Sequence, residues 1–416
     1  MKTIFRFTTL TVLLAAIFAV GATAIFAQDV CSEGDAIAAL DSKFRENYGK
    51  GIAERKIAVE AGKQYIEKYG SCATQKDFVD YLKSYLPGME KKIKDDETKA
   101  KLQGLYTKFD ASVGAKPPAY DETYGVGKEI LAIVPDQLDV MIVLGSIGYD
   151  ESFKKNFKYN ADTLKYARQA ITALEAGKTS KNFGIFGWAY NNKENALGWL
   201  NYTIGYIHQY GEKNKKEALP FLYKAAQYNS DTKGNPLVYE SMASYYVDEL
   251  NKQIQELQAL VKAQSDTDTD DVKKEKVEVI KAKVALVNGT AERALEVYSR
   301  AYKLVTDPKS AAYKASLYKS LQDIYKIRFE KGDTLNAWID SAVAKPLTNP
   351  TTPIAPVSDA DPTAATTPAA TFPATTAKPA VAPSVKPAAP AAKPPTVAKP
   401  AGSAVKKPVV TKKVTK

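Results

Sequence analysis

Residues 291–328 constrain the fold more than any other stretch, because two helix patterns follow one another there. Ala294, Tyr298 and Ala301 are spaced four and three residues apart, which places them on one face of a helix. Small residues at the outer positions let a neighbouring helix approach closely, and the tyrosine fills the groove between them. Asp307-Pro308 ends this helix, because a residue that precedes proline is pushed out of the α region.

The helix that follows carries Tyr318, Leu321 and Tyr325, an aromatic-x2-Leu-x3-aromatic spacing. At these positions the stretch resembles the tetratricopeptide repeat (TPR), whose pattern is W-x2-L-G-x2-Y, then A-x3-F-x2-A, then a proline. The resemblance implies a right-handed stack of helical hairpins with an extended concave surface that binds peptides or proteins. It does not identify the ligand.

Earlier parts of the chain repeat this unit less regularly. The residues predicted to pack between repeats are Ala167, Ala170, Ala218, Leu222, Ala225, Ala294, Tyr298 and Ala301. Thr163, Ala218 and Ala294 begin the three clearest second helices and are 55 and 76 residues apart, whereas the usual repeat is about 34 residues long. Some helices or loops must therefore be extended, and residues 250–287 are predicted to be an inserted helical arm.

The chain contains 25 tyrosines, many at helical spacing. Trp199, Tyr202 and Tyr206 share one predicted helix face and are candidate partner-binding residues, because exposed aromatics serve as anchors for peptides or sugars. The alternative for each of them is a position in the core.

The N-terminus has the pattern of a targeting segment. Lys2 and Arg6 precede an apolar run at residues 10–20, and small residues allow cleavage after Ala27. A signal peptide at residues 1–27 predicts export to the periplasm, the cell envelope or the extracellular medium. An uncleaved anchor is the alternative, since this run is just long enough to span a bilayer. We expect no membrane span once the signal is cleaved.

Export allows Cys31 and Cys72, the two cysteines, to form a disulfide. The bridge would close a loop of about 40 residues and stabilise the fold by about 3–4 kcal/mol. Two unpaired thiols are the alternative. A zinc site is disfavoured, because His208 is the one histidine of the chain and lies far along the sequence.

Breaks in the pattern divide the rest of the chain. Residues 28–115 are predicted to be a helical N-terminal region, punctuated among other places at Pro87-Gly88. Residues 116–345 follow as TPR-like repeats. Residues 346–416 hold 15 of the 22 prolines and little large apolar surface, which predicts a disordered, partly polyproline-II tail rich in proline, alanine and lysine.

The formal charge of +11 belongs mostly to the ends of the chain. The tail carries nine lysines and two aspartates, a net charge of +7, and the predicted signal carries two cations. The helical body is therefore nearly neutral, which disfavours a specific nucleic-acid-binding domain. A cationic tail would still bind anionic polymers without specificity at low salt.

Patterns typical of catalysis are weak. The chain has no phosphate loop, H-E-x-x-H or dinucleotide fingerprint, and residues 144–148 lack the first glycine of a nucleophile elbow. His208 is expected to be a packed or surface histidine. Residues 265–271 resemble a calcium loop, but Asp271 replaces its glycine, so a solvated linker is preferred. We predict no catalytic residue, cofactor or metal.

The sequence thus predicts an all-α protein: an irregular TPR-like hairpin solenoid, with a helical N-terminal region and a disordered basic tail. The predicted function is a non-catalytic scaffold that binds a protein or peptide in the bacterial cell envelope. The alternative is an envelope-structural protein, tethered by its tail to anionic cell-wall or outer-membrane polymers. A repeat-decorated hydrolase or carbohydrate binder is a third reading.

Overall fold

A computed structural model describes residues 30–180, 191–329 and 334–358. Within these ranges the chain forms twelve α-helices and no β-strand, so the predicted all-α class is confirmed. The helices are α1 (Gly34–Asn47), α2 (Ile52–Tyr69), α3 (Lys76–Gly114), α4 (Tyr120–Ile133), α5 (Leu138–Phe153), α6 (Asn160–Glu175), α7 (Lys193–Tyr206), α8 (Lys215–Gln227), α9 (Pro236–Lys262), α10 (Asp270–Leu304), α11 (Ala311–Phe329) and α12 (Leu335–Ala344). The predicted signal at residues 1–27 and residues 359–416 of the predicted tail lie outside the described residues.

The chain divides into two compact units, residues 1–104 and residues 105–416. In the first unit, α1, α2 and the beginning of α3 enclose a core of aliphatic and aromatic side chains. The Phe78 ring packs edge-on against Phe44 and Tyr65, with ring centroids 6.0 and 4.9 Å apart. Cys31 and Cys72 form a disulfide, as predicted, and join the start of this unit to the α2–α3 connection.

Pro87-Gly88 does not interrupt the first unit, contrary to the prediction, because α3 continues through it. Leu82, Leu86 and Met89 are buried on one face of the helix. Pro87 lies on the opposite, exposed face. The carbonyl that loses its partner at a helical proline can therefore be solvated, and burial on both sides of the proline outweighs its cost.

The second unit contains three consecutive antiparallel helix pairs. In the α5–α6 pair, Gly145 lies against Ala167 so closely that an added Cβ would be 2.7 Å from the Ala167 Cα. Gly148 lies against Thr163, so residue numbers rise along α5 as they fall along α6. α7 and α8 form the next pair, and α9 and α10 the third.

The predicted arm at residues 250–287 corresponds to the extended part of the α9–α10 pair. The Thr290 hydroxyl donates a 2.8 Å hydrogen bond to Gln253 Oε1 across this pair. Nearer the turn, Lys283 pairs with Glu256. The two helices therefore stay in contact well beyond the length of an ordinary repeat hairpin.

Residues 345–357 form an extended strap along α10, in the direction opposite to the helix. Arg300 donates to the Lys345 carbonyl at the beginning of the strap, at 2.5 Å. At its other end, the Val357 amide donates to the Ala285 carbonyl at 2.8 Å. The predicted tail, which began at residue 346, is therefore wrong for this segment, because backbone and side-chain groups of α10 hold it.

In the described parts of the chain, no helix is both long and apolar enough to cross a membrane.

Candidate binding face

The predicted repeat-packing positions lie in the interior of the second unit. Seven of them are fully buried: Ala167, Ala170, Ala218, Leu222, Ala225, Ala294 and Ala301. Tyr298 is only partly buried. Close helix approach is seen at Ala167, which lies against Gly145, and at Ala218 and Leu222, which lie against Gly205.

The three candidate partner-binding residues divide between core and surface. Tyr202 is 1% exposed and belongs to the core, so it offers no surface to a partner. Trp199 and Tyr206 are partly exposed. Helical spacing placed all three on one face, but it could not show that α5 packs over the middle residue.

A track of aromatic rings begins on α5 and crosses to α7. The Tyr149 ring centroid is 6.1 Å from Trp199 and 5.0 Å from Tyr206, and both ring pairs pack edge-to-face. Phe153, one turn further along α5, lies 6.5 Å from Tyr206 and is 38% exposed. Burial raises the pKa of Tyr149 to about 12, so its phenol stays protonated at neutral pH.

The track continues because α7 ends in a π-helical turn at Ile207–Gly211. The Glu212 amide donates to the Ile207 carbonyl, which closes this wider turn. A π turn adds one residue to the helical turn and changes the direction of the side chains near it. Tyr210 lies 4.6 Å from Tyr206 and is 46% exposed.

Beyond Tyr210 the surface contains a carboxyl group surrounded by tyrosines. The Tyr313 hydroxyl of α11 donates a 2.6 Å hydrogen bond to Glu240 Oε2 of α9. Tyr210 and Tyr298 are close enough for the Glu240 charge to act on them. Burial raises the pKa of Glu240, while the hydrogen bond from Tyr313 opposes that rise.

We call this surface the tyrosine face. It comprises Tyr149, Phe153, Trp199, Tyr206, Tyr210, Glu240, Tyr298 and Tyr313, contributed by α5, α7 with its π turn, α9, α10 and α11. Half-buried aromatic rings provide apolar contact area with little side-chain entropy to lose. The Glu240 carboxyl can accept a hydrogen bond from a peptide amide or a cationic side chain.

The Trp199 indole adds an unused donor to the tyrosine face. Its Nε1 atom is buried and has no hydrogen-bond partner among the described residues. A buried N–H without a partner costs free energy.

His208, the one histidine, is packed rather than exposed. Its Nε2 accepts from the Arg168 guanidinium at 2.9 Å. Since an arginine can only donate, the proton of the neutral ring is on Nδ1, which donates to Glu212 Oε2 at 2.6 Å. The Phe221 ring stacks against the imidazole with centroids 5.6 Å apart. Both ring nitrogens of His208 therefore have hydrogen-bond partners within the fold.

The partial nucleophile elbow at residues 144–148 and the calcium-like loop at residues 265–271 both make local contacts within the fold. Ser146 is buried within α5, and its hydroxyl donates to the Ile142 carbonyl one turn earlier. In the calcium-like loop, Asp268 pairs with Lys276 at 2.6 Å, and Thr269 accepts from the Val272 amide at the start of α10. No group of three His, Cys, Asp or Glu residues within the described ranges is arranged to hold a metal ion.

Glu240, Tyr298 and Tyr313 were not predicted as a site. Tyr298 was predicted only to fill a groove between helices, and Glu240 and Tyr313 are 73 residues apart in sequence. The sequence feature that pointed to an aromatic surface was the high tyrosine content, and this content does not show which rings contact one another.

Comparisons with protein families, with curated proteins and with solved structures find no match to this chain.

Proposed function

We propose that this protein is a non-catalytic scaffold that binds a protein or peptide partner on its tyrosine face. The observation that carries the proposal is the continuous surface of partly exposed aromatic rings around one carboxyl group, with Tyr210 46% exposed. Interface hot spots are enriched in tyrosine and tryptophan, and truncating one often costs more than about 1–2 kcal/mol of binding free energy.

The architecture that we propose for this function is a TPR-like solenoid of irregular hairpins. The three antiparallel helix pairs and their buried small residues support it. In such a stack the first helices of successive pairs line one surface. α5, α7, α9 and α11, which contribute most of the tyrosine face, would be those first helices.

We further propose that the scaffold acts after export, in the periplasm or elsewhere in the bacterial cell envelope. The signal-like pattern at residues 1–27 supports export. The disulfide between Cys31 and Cys72 is compatible with it, because disulfides persist in oxidising compartments.

Site-specific photocrosslinking tests the binding face. A benzophenone amino acid at Tyr210 would be compared with the same amino acid at Tyr48, which has similar exposure, 43%, and lies in the first unit. Both full-length variants would be irradiated in intact cells of the source organism. We expect one defined adduct from position 210 that is absent from position 48. Identical adducts from both positions, or none from position 210, would contradict the proposal.

The second candidate is an envelope-structural protein, favoured by the net charge of +7 in residues 346–416. Its tail would bind anionic cell-wall or outer-membrane polymers. The deletion that tests it should remove residues 359–416, because residues 346–357 pack on α10. Loss of envelope retention with unchanged crosslinking at position 210 would favour a tether in addition to the scaffold.

A further inference from the structure

A second surface, separate from the tyrosine face, contains a cavity of about 550 Å³. It lies in the second unit, between the loop that precedes α4 and the end of α5. The residues that line it include Pro117, Pro118, Tyr120, Glu122, Glu151 and Tyr159. Lys154 also lines the cavity but is paired with Glu151, so the proline, tyrosine and remaining carboxylate side chains indicate the chemistry of a ligand.

Tyrosine rings form the apolar wall of this cavity. Tyr120 and Tyr159 meet edge-to-face with ring centroids 6.1 Å apart. Tyr124, buried behind them, stacks on Tyr159 at 5.1 Å. The Tyr159 hydroxyl also donates to Asp121 Oδ1 at 2.9 Å. The two rings at the wall are therefore held in place before any ligand arrives.

The carboxyl groups around the cavity are not all satisfied within the fold. Asp121 pairs with Lys158 at 2.6 Å, and Glu151 pairs with Lys154 at 2.8 Å. Glu122 lines the cavity and forms no ion pair or hydrogen bond through its carboxylate among the described residues, whereas Asp150 is not part of the lining and has the Lys154 cation nearby. Glu122 is exposed, whereas Asp150 is half-buried and its pKa is raised by that burial.

The Tyr120 hydroxyl is a further group without a partner. It makes no hydrogen bond to any described residue, and its pKa is raised to about 12, first by burial and then by the nearby charges of Asp150 and Glu151. It therefore remains a donor over the physiological pH range, next to carboxylates that accept.

These groups suit an extended lysine-proline peptide. Polyproline-II segments dock on aromatic-lined grooves, since their proline rings lie on the aromatic side chains and their backbone conformation costs little entropy to fix. Their carbonyls have no internal partner and would accept from the Tyr120 hydroxyl. A lysine beside the proline would supply a cation for the Glu122 carboxylate.

The chain itself contains such segments. Lysine directly precedes proline at five places in its C-terminal part: Lys378-Pro379, Lys386-Pro387, Lys393-Pro394, Lys399-Pro400 and Lys407-Pro408. We infer that these lysine-proline segments of the same molecule occupy the cavity at Pro117–Glu122. Lys378 is 20 positions after Ser358, a stretch that can span at most about 70 Å when extended.

The strap gives a precedent within this fold. Residues 346–357 contain four prolines and lie extended on α10. The Asn288 amide of that helix donates to the Val357 carbonyl at 3.2 Å. A proline-containing segment of the same C-terminal region is therefore already bound to a helical surface of the second unit.

A labelled peptide with the sequence of residues 376–401 tests the inference by fluorescence anisotropy. It would be titrated into the full-length wild type and into a full-length tail variant, K378A/K386A/K393A/K399A/K407A. We expect the tail variant to bind the peptide at least threefold more tightly, because the wild-type tail competes for the cavity. A scrambled peptide without lysine-proline pairs is expected to bind at least about tenfold more weakly.

Matched charge reversals on α4 locate the binding site. Glu122→Lys and Glu129→Lys would each be made in the tail variant. Both glutamates are exposed, but only Glu122 lines the cavity. We expect Glu122→Lys to weaken peptide binding at least about fivefold and Glu129→Lys to leave it unchanged. Tyr120→Ala should cost about tenfold, as an aromatic anchor does.

Equal affinities of the tail variant for the native and the scrambled peptide would overturn the inference, and so would equal effects of Glu122→Lys and Glu129→Lys. Equal affinities of the wild type and the tail variant for the native peptide would also overturn it. A fourth contrary result would be binding of the tail of one molecule to the cavity of another. The last would appear as a mass that rises with the concentration of the wild type and does not rise for Glu122→Lys. None of these outcomes depends on the crosslinking result at the tyrosine face.

Discussion

At the scale of residues, Glu240 shows how a single carboxyl group can link structure to binding. It lies half-buried beside Tyr313, which donates to it at 2.6 Å, and its charge acts on Tyr298. Because burial raises the pKa of Glu240, the ionised form is less stable in the folded protein than in the unfolded chain. The same desolvation strengthens any hydrogen bond that a cationic ligand would give it.

Glu240→Gln is expected to stabilise the protein at pH 7.5 but not at pH 4. Below the ordinary glutamate pKa of 4.5 the carboxyl is protonated in both states. As the pH rises through the higher folded-state pKa, the wild type must bury a charge and loses stability. The amide carries no charge and still accepts from Tyr313. Thermal melts from pH 4 to pH 8 measure the difference, with exposed Glu129→Gln as control. A lower melting temperature than wild type at pH 7.5 would contradict this account.

Gly145→Ala is expected to destabilise the second unit by about 1–3 kcal/mol, as overpacking does. The new Cβ would be 2.7 Å from the Ala167 backbone. Gly125→Ala is the matched control, because this helical glycine has no atom within 4 Å of an added Cβ. It should be neutral or stabilise by up to about 1 kcal/mol. Urea unfolding compares the two variants, and equal effects would refute the close approach of α5 and α6.

Much of the core was predictable at this scale, but the site was only partly so. The burial of Ala218, Leu222 and Ala225 could be predicted from their helical spacing. The two alanines are small, which indicates that another helix lies close to them. Glu240 and Tyr313 meet only because α9 and α11 both pack against α10. Nothing local in either segment indicates that contact.

At the scale of elements, local patterns predicted where most helices of the second unit lie but not where two irregular features form. Pro87 was expected to end a helix, and α3 passes through it, since the buried stripe continues on both sides. The strap was expected to be part of a disordered tail. Its composition is rich in proline and threonine, and it is held both by Leu347 and Ile354, which pack against the core, and by hydrogen bonds to α10.

Gly289→Ala is expected to release the strap from α10. An added Cβ would overlap the Ala355 carbonyl oxygen, so residues 350–357 should move away from the helix. Their amide hydrogens should then exchange with deuterium about tenfold faster, led by the Val357 amide that donates to Ala285. Val279→Ala, on an exposed position of the same helix, is the control. Unchanged exchange in Gly289→Ala would show that the strap does not depend on this contact.

At the scale of the whole molecule, the chain consists of two compact units with different means of stabilisation. The first relies on an aromatic core and one disulfide. The second relies on consecutive helix pairs and close packing of small residues. A boundary was predicted near Lys116-Pro117-Pro118, and the compact units divide at residue 104.

Removing the disulfide is expected to destabilise mainly the first unit. Cys31 and Cys72 are 41 positions apart, and opening a loop of that size costs about 4 kcal/mol at 25 °C in the chain-entropy treatment. Cys31→Ala/Cys72→Ala should therefore accelerate amide exchange in α1 and α2 while exchange in α5–α10 stays unchanged. Peptide-resolved exchange measures both regions in one sample. Equal acceleration everywhere would contradict this assignment.

The strap also determines how a mechanical load would enter the molecule. A pull applied at Ser358 reaches the fold at Val357, where one amide and one carbonyl hold the strap to Ala285 and Asn288. Because the strap runs opposite to α10, its contacts would open one after another from that end toward Arg300. The strap would therefore detach and extend under tension before the applied force reaches any helix.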